Sequence, residues 1–180
     1  MSIGLLLIRL TVGGLFIGHG CQKLFGWFGG GGIEGTGQMF AKAGLRPGWL
    51  TAAFAGTSEA AGGLLLLLGA IVPLAAAALA TVMAGAIITV HLRNGIWNSK
   101  GGFEFPLVMA MVAIGLAFSG PGRFSVDHGA GISMSGVLWG LIAILLTLLG
   151  TLAIAVWRGI GSRVPTEAEG AATGNHRRAA

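Results

Sequence analysis

The stretch Phe16-Ile-Gly-His-Gly-Cys-Gln-Lys-Leu-Phe25, continued by Gly-Trp-Phe and four glycines, marks the place where an apolar helix ends. The residues before it carry one charge, at Arg9, whereas His19, Gln22 and Lys23 lie within five positions of one another. Aromatic rings and lysines are enriched where a transmembrane helix reaches the bilayer surface. The stretch therefore predicts a helix that crosses the membrane and reaches an interface here.

The composition predicts an integral membrane protein. Of 180 residues, 54% are apolar and 9% are charged, and the mean hydropathy is +0.83. A soluble domain carries roughly 25% charged residues, so this chain could not cover a water-facing surface. The net charge of +5 is spread over several connections, which indicates contact with anionic lipid rather than with nucleic acid. Because Cys21 is the single cysteine, the chain can form neither an internal disulfide nor a dithiol pair.

Five apolar segments predict an all-α fold, a polytopic transmembrane helix bundle. They cover residues 3–24, 49–68, 74–92, 104–118 and 134–157. About 20 helical residues cross a hydrocarbon core of roughly 30 Å, so the fourth segment is short. The predicted organisation is a four-helix membrane domain over 1–127, a fifth transmembrane helix over 134–158, and a disordered polar tail over 159–180.

Two smaller features concern how the helices pack. The sequence Gly14-Leu-Phe-Ile-Gly18 has the small-residue spacing that lets a second helix approach closely. Residues 36–45 place Met39 and Phe40 on one helical face, which predicts a short amphipathic helix on the membrane interface.

The basic residues predict the orientation of the chain. With five spans, nine of the eleven lysines and arginines fall on one side, and the exceptions are Arg9 and Arg123. Basic residues are enriched in cytoplasmic loops. We therefore expect the N-terminus outside and the C-terminal tail in the cytoplasm.

The polar residues of the predicted helix ends converge on one membrane face. Four segment ends lie at this face in either orientation: the end of the first segment, the start of the second, the end of the third and the start of the fourth. The residues that meet at this face include His19, Gln22, Lys23, His91, Asn94 and Glu104. The sequence therefore predicts a one-sided polar pocket.

Glu59 lies about ten residues into the second segment, and so roughly 13–15 Å below the surface. A charge at this depth costs several kcal/mol, so it faces the bundle interior with a partner. His19 and Arg9 are the predicted partners. Three interpretations remain open: an ion pair that fixes helix register, a protonatable group lining a ligand or proton path, and a carboxylic acid kept neutral by desolvation.

His91 and Glu104 end and begin helices that a short loop joins. Such a pair could exchange a proton with a quinone, and Glu104 could instead cap the first turn of its helix. His19, Cys21 and His91 have no spacing typical of a metal site, so no metal is expected. The predicted catalytic residues are Glu59, His91 and His19, and the predicted cofactor-binding residues are Gln22, Lys23, Asn94 and Glu104.

Several motifs together resemble the DoxX family of small bacterial membrane proteins. They run in order over about residues 5–127. The matching residues are Arg9-Leu, His19-Gly-x-Gln-Lys-Leu-Phe-Gly26, Glu59-x-x-Gly-Gly63, Thr89-Val-His91, Asn94-Gly95, Gly101-Gly-x-Glu104 and Pro121-Gly-Arg-Phe-Ser-x-Asp127.

The resemblance implies a four-helix domain in the bacterial inner membrane. Members of the family carry the label of candidate oxidoreductases, which favours a redox subunit that handles a quinone or a thiol or sulfur compound. The chain has no flavin, nucleotide or haem signature, so electrons would come from a redox partner protein or from the quinone itself. The alternative is a non-catalytic membrane scaffold that docks another protein or a second copy. A small permease is a third hypothesis, but no inverted repeat of interrupted helices supports it.

Overall fold

A computed structural model describes residues 2–162, and over this range the chain is helical without a β-strand. The seven α-helices are α1 (Ser2–Phe25), α2 (Gly32–Lys42), α3 (Gly48–Leu68), α4 (Val72–Ala86), α5 (Glu104–Ser119), α6 (Val126–Gly129) and α7 (Val137–Gly161). A π-helical turn, Ile87–His91, extends α4, and short 3-10 turns occur at Trp27–Gly29, Leu92–Asn94 and Asn98–Lys100. The predicted all-helical class is confirmed.

Within residues 2–162, four helices are long and apolar enough to cross a membrane. They are α1, α3, α7 and α4 together with its extension to Asn94. The fifth apolar helix, α5, has 16 residues and so spans about 24 Å, which is less than the hydrocarbon thickness. Each predicted segment overlaps the corresponding helix and differs from it by a few residues at its ends.

Close contacts between backbones hold α1 against α3 in antiparallel fashion. A Cβ atom added to Gly13 would lie 2.6 Å from the carbonyl oxygen of Gly63, and one added to Gly20 would lie 2.7 Å from that of Gly56. Small residues give helices this proximity in lipid, where van der Waals contact drives association. Gly14 and Gly18, which the sequence suggested for such a contact, face open space instead.

Helix α7 packs beside α4 and runs parallel to it. The methyl group of Thr81 lies against Gly150, and the side chain of Ile154 lies against Gly85. The end of α5 meets the start of α7, where Phe118 covers Gly140. Helices α1, α4 and α7 end at one face of the bundle, α3 and α5 begin there, and the long loops lie over it. We call this face the site face.

Helix α2 packs on α3 at the site face and begins four residues before the predicted interface helix. Its Phe40 is buried, whereas Met39 remains partly exposed. Helix α7 reaches Gly161, which places the first three residues of the predicted tail in a helix. Ser162 follows as a turn residue, and residues 163–180 of that predicted tail lie outside the described residues.

Candidate functional site

A cavity of about 650 Å³ opens between the helices in the half of the bundle next to the site face. Along α4 and the π-helical turn its lining runs from Ala78 to His91, and the eight steps from Ala78 to Ala86 alone rise about 12 Å. Its walls are mostly apolar and come from α1 to α5 and α7. The lining includes His19, Lys23, Phe40, Phe54, Glu59, Val82, Met83, Ala86, His91, Phe105, Ile154 and Trp157.

An ion pair lies among the polar groups that line this cavity. The side chain of Glu59 has no exposed surface, and its Oε2 accepts a hydrogen bond from Lys23 Nζ at 2.5 Å. The Lys23 side chain is 21% exposed. The other carboxylate oxygen, Glu59 Oε1, is buried and has no hydrogen-bond partner among residues 2–162. A buried carboxylate oxygen without a partner is costly, and such atoms are few in folded proteins.

The packing of α1 on α3 explains why Lys23 is the partner. Gly20 lies against Gly56 and Ala60, which places Lys23 near the level of Gly56, less than one turn from Glu59. Its flexible stem carries the ammonium group along the apolar wall to the carboxylate. Lys23 was predicted at the site as a cofactor-binding residue and not as the partner of Glu59.

The prediction that Arg9 could pair with Glu59 is wrong. Arg9 lies near the opposite face, where Nη1 donates to the carbonyl oxygen of Pro121 at 2.7 Å and Nη2 donates to that of Phe124. Fourteen residues separate Arg9 from Lys23, which is about 21 Å along α1. Arg9 of α1 and Glu59 of α3 therefore belong to different clusters.

His19 joins the cavity to the loop after α1. Its Nδ1 lies 3.0 Å from Gln22 Oε1, and its ring packs against that of Phe105 with centroids 5.7 Å apart. Gln22 Nε2 in turn donates to the carbonyl oxygen of Phe28 at 3.3 Å. In the neutral tautomer that donates to Gln22, the Nε2 atom of His19 is a proton acceptor.

His91 lines the cavity and also anchors the loop above it. Its Nδ1 lies 2.7 Å from the carbonyl oxygen of Gly101, to which Asn94 Nδ2 donates at 3.1 Å. Glu104 Oε2 accepts the backbone N–H of Asn98 at 3.0 Å. His91 and Glu104 thus bind different parts of the same loop, and Glu104 orders the turn that precedes its own helix.

The structure separates the predicted site residues into two groups. His19, Lys23, Glu59 and His91 line one cavity. Gln22, Asn94 and Glu104 instead contact loop backbone at the site face. Over residues 2–162 no three histidines, cysteines, aspartates or glutamates lie close enough to hold a metal ion.

Sequence reasoning missed the apolar wall that α7 contributes. Ala153, Ile154 and Trp157 line the cavity, and Trp157 Nε1 donates to the carbonyl oxygen of Arg46 at 2.8 Å. A tryptophan near the end of an apolar helix is typical of an interfacial belt. Trp157 also faces the cavity because α7 packs beside α4, and the sequence gives no sign of that packing.

Comparison with known proteins connects these residues to a family. The DoxX family model matches residues 4–92, which include His19, Lys23, Glu59 and His91. A Bacillus subtilis protein named "Putative oxidoreductase CatD" is 33% identical over 126 residues, which cover 70% of this chain and 86% of the relative. "Uncharacterized membrane protein Rv3486" of Mycobacterium tuberculosis is 33% identical over 131 residues, which cover 67% of this chain and 77% of that protein.

No solved structure matches the chain at a significant level. The family model and the first relative agree with the resemblance seen in the motifs around His19, Glu59 and His91. The fold, a bundle of apolar helices of which four within residues 2–162 could cross a membrane, is consistent with them. The chain belongs to the DoxX family of membrane proteins.

Proposed function

We propose that this protein is a membrane-bound oxidoreductase subunit that binds a quinone in the cavity beside Lys23 and Glu59. The observation that carries the proposal is that Glu59, whose Oε1 is a buried acceptor without a partner among residues 2–162, lines a 650 Å³ cavity together with Lys23. A quinone combines a polar head with an apolar tail, and the cavity combines one ion pair with a long apolar wall. The name of the Bacillus subtilis relative also favours redox chemistry.

The two members of the ion pair would recognise the two redox forms of the head. The ammonium group of Lys23 can donate a hydrogen bond to a quinone carbonyl, and Glu59 Oε1 can accept one from a quinol hydroxyl. The apolar side chains of Val82, Met83 and Ile154 would contact the tail. Recognition of both forms at one place is what reversible reduction requires.

Glu59 and His19 would move the protons of the reaction. Reduction of a quinone to a quinol takes up two electrons and two protons. Oxidation of two thiols to a disulfide releases the same number, so a thiol or reduced sulfur compound on a partner would balance the reaction. A carboxylate and an imidazole in the wall can relay protons between the cavity and the site face.

The membrane and the orientation belong to the same proposal. We place the protein in the bacterial inner membrane, with the N-terminus outside and the site face in the cytoplasm. Lys23, Lys42, Arg93 and Lys100 lie at that face, in agreement with the distribution of basic residues in cytoplasmic loops. A cysteine in place of the exposed Lys100, in a Cys21→Ser background, should react with a membrane-impermeant maleimide only in inverted vesicles. Labelling in intact cells would contradict this orientation.

A non-catalytic scaffold remains the second candidate, because the site face presents aromatic side chains on ordered loops. Trp27, Phe28 and Trp97 are 57%, 75% and 62% exposed, while Gln22 and Glu104 hold the loops that carry them. Such rings could contact a partner protein as well as lipid headgroups.

The experiment that tests the redox proposal uses the purified protein in detergent. Solvent extraction and mass spectrometry should find a copurifying isoprenoid quinone. A short-tailed quinone should also quench tryptophan fluorescence in a saturable manner, since Trp157 lines the cavity. If the purified protein shows neither a copurifying quinone nor saturable quenching, the redox proposal is contradicted and the scaffold is favoured.

A further inference from the structure

The last turn of α7 is tied to two separate walls of the cavity. Arg158 Nε donates to the carbonyl oxygen of Ala43 at 3.0 Å, immediately after α2. Arg158 Nη1 donates to the carbonyl oxygen of Ile88 at 2.8 Å, within the π-helical turn. One guanidinium group thus connects two elements that are 45 positions apart in sequence (88 − 43).

The first of these walls is the π-helical turn. Such turns place the backbone bonds five residues apart, interrupt the regular ladder and occur frequently at functional sites. Ile88 accepts the charged donor of Arg158, and the next three residues, Thr89, Val90 and His91, all line the cavity. Arg158 therefore holds the segment that presents His91 to the site.

The second wall is the end of α2 and the connection that follows it. Met39, Phe40 and Leu45 line the cavity there, on both sides of Ala43. The stem of Arg158 also packs near Gly44, where an added Cβ would lie 3.3 Å from Arg158 Cγ. At the C-terminus of α7 the positive charge is further stabilised by the helix dipole.

We propose that Arg158 is a positioning residue of the ligand site, which holds the α2 wall and the π-helical wall at a fixed separation. The fork of a guanidinium group can donate to two carbonyls at once, whereas a lysine presents a single ammonium group on a flexible stem. Fixing the walls determines how tightly the cavity closes on an apolar tail. Arg158 lies outside the residues 4–92 that the family model matches, so this device uses α7.

The identity of the ligand rests on the proposed function, whereas the spacing of the walls can be measured without any ligand. Lys42 and Arg93 are exposed and lie beside the two walls. Spin labels on Lys42→Cys and Arg93→Cys, in a Cys21→Ser background, should give a narrow distance distribution by pulsed EPR. Arg158→Gln should broaden it, and Arg158→Lys should give an intermediate width.

Ser162→Ala is the matched control, because among residues 2–162 the Ser162 hydroxyl donates only to the carbonyl oxygen of Gly159, within its own helix end. This variant should retain the distribution of the parent. A distribution in Arg158→Gln that equals the parent's would overturn the proposal.

A second measurement separates positioning from a merely structural role. Arg158→Gln should weaken binding of a short-tailed quinone about tenfold, because the two walls no longer keep a fixed separation around its tail. Arg158→Lys should recover part of that loss. A purely structural residue would lower the unfolding temperature and leave the affinity of the folded fraction unchanged, and that result would overturn the proposal. If the parent binds no quinone, the proposed function fails and the EPR distances alone decide the role of Arg158.

Discussion

Two buried charge clusters lie at opposite faces of the bundle and differ in what surrounds them. Near the opposite face, Arg9 and Asp127 are each 1% exposed and bind mainly to backbone. Near the site face, Lys23 and Glu59 bind to each other and border a cavity. Residues of the same chemical types therefore serve packing in one cluster and leave room for a ligand in the other.

The Arg9–Asp127 cluster ties the loop after α5 to the rest of the bundle. Asp127 Oδ1 accepts the backbone N–H of Ile71 at 2.9 Å, Oδ2 accepts that of Val72 at 3.5 Å, and the Asp127 N–H donates to Gly69. Asp127 thus caps the start of α4. Arg9 Nε has no hydrogen-bond partner within residues 2–162, but a Cβ atom on Gly69 would collide with the Arg9 guanidinium. Packed backbone therefore surrounds Arg9, whereas a cavity lies beside Glu59.

The largest expected effect comes from breaking the Arg9–Asp127 cluster. Arg9→Met would leave the carbonyl oxygens of Pro121 and Phe124 without their charged donor and should lower the free energy of unfolding by about 2–6 kcal/mol, roughly 1–3 for each orphaned carbonyl. Thermal unfolding of the purified protein measures the change. Arg123→Gln is the control, because Arg123 is exposed at the same face and should unfold like the parent. Equal stability of Arg9→Met and Arg123→Gln would show that the cluster has no structural role.

Replacing both members of the Lys23–Glu59 ion pair should change the free energy of unfolding less than Arg9→Met does, but it should greatly weaken quinone binding. Replacing a buried pair by apolar residues is often neutral for stability, so Lys23→Met with Glu59→Leu should unfold within about 1 kcal/mol of the parent. The same double variant should lose quinone binding by at least about a hundredfold, a difference of about 2.7 kcal/mol. Fluorescence titration and thermal unfolding give both values. Binding that survives in the double variant would place the ligand elsewhere.

The smallest effect is expected at a loop residue that contacts neither cluster. Asn94→Ala removes one exposed hydrogen bond, to Gly101, and should cost about 0.5–1 kcal/mol or less. Quinone affinity should stay within about twofold of the parent, because His91 still binds the same carbonyl. An affinity loss as large as that of the Lys23 and Glu59 double variant would make Asn94 part of the binding site, as the sequence suggested.

Much of this fold is predictable from the sequence, because lipid imposes simple constraints on it. Apolar segments of the right length, the Gly69 to Pro73 link and the aromatic stretch after Lys23 locate the helices to within a few residues. The convergence of polar residues on one face follows from the alternating direction of the spans. Glu59 was predicted as the most informative buried charge for the same reason, since a charge that deep needs a partner.

Contacts between distant segments were not predictable. The Lys23–Glu59 pair depends on the register of α1 against α3, which Gly20 and Gly56 determine by backbone contact. The capping of α4 by Asp127 depends on a loop folding back over 55 positions. Neither relation leaves a periodic signal in the sequence, so Arg9 was assigned to the wrong carboxylate.

The most direct test of the ligand site is a quinone titration of Glu59→Gln beside the parent. Gln keeps the shape of the side chain but removes its charge, and Lys23 can still reach the aqueous edge because it is 21% exposed. We expect an unfolding temperature close to the parent's and an affinity about tenfold weaker, which corresponds to one lost charge-assisted hydrogen bond. Unchanged affinity in Glu59→Gln, or no saturable binding by the parent, would contradict the assignment of this cavity as a quinone site.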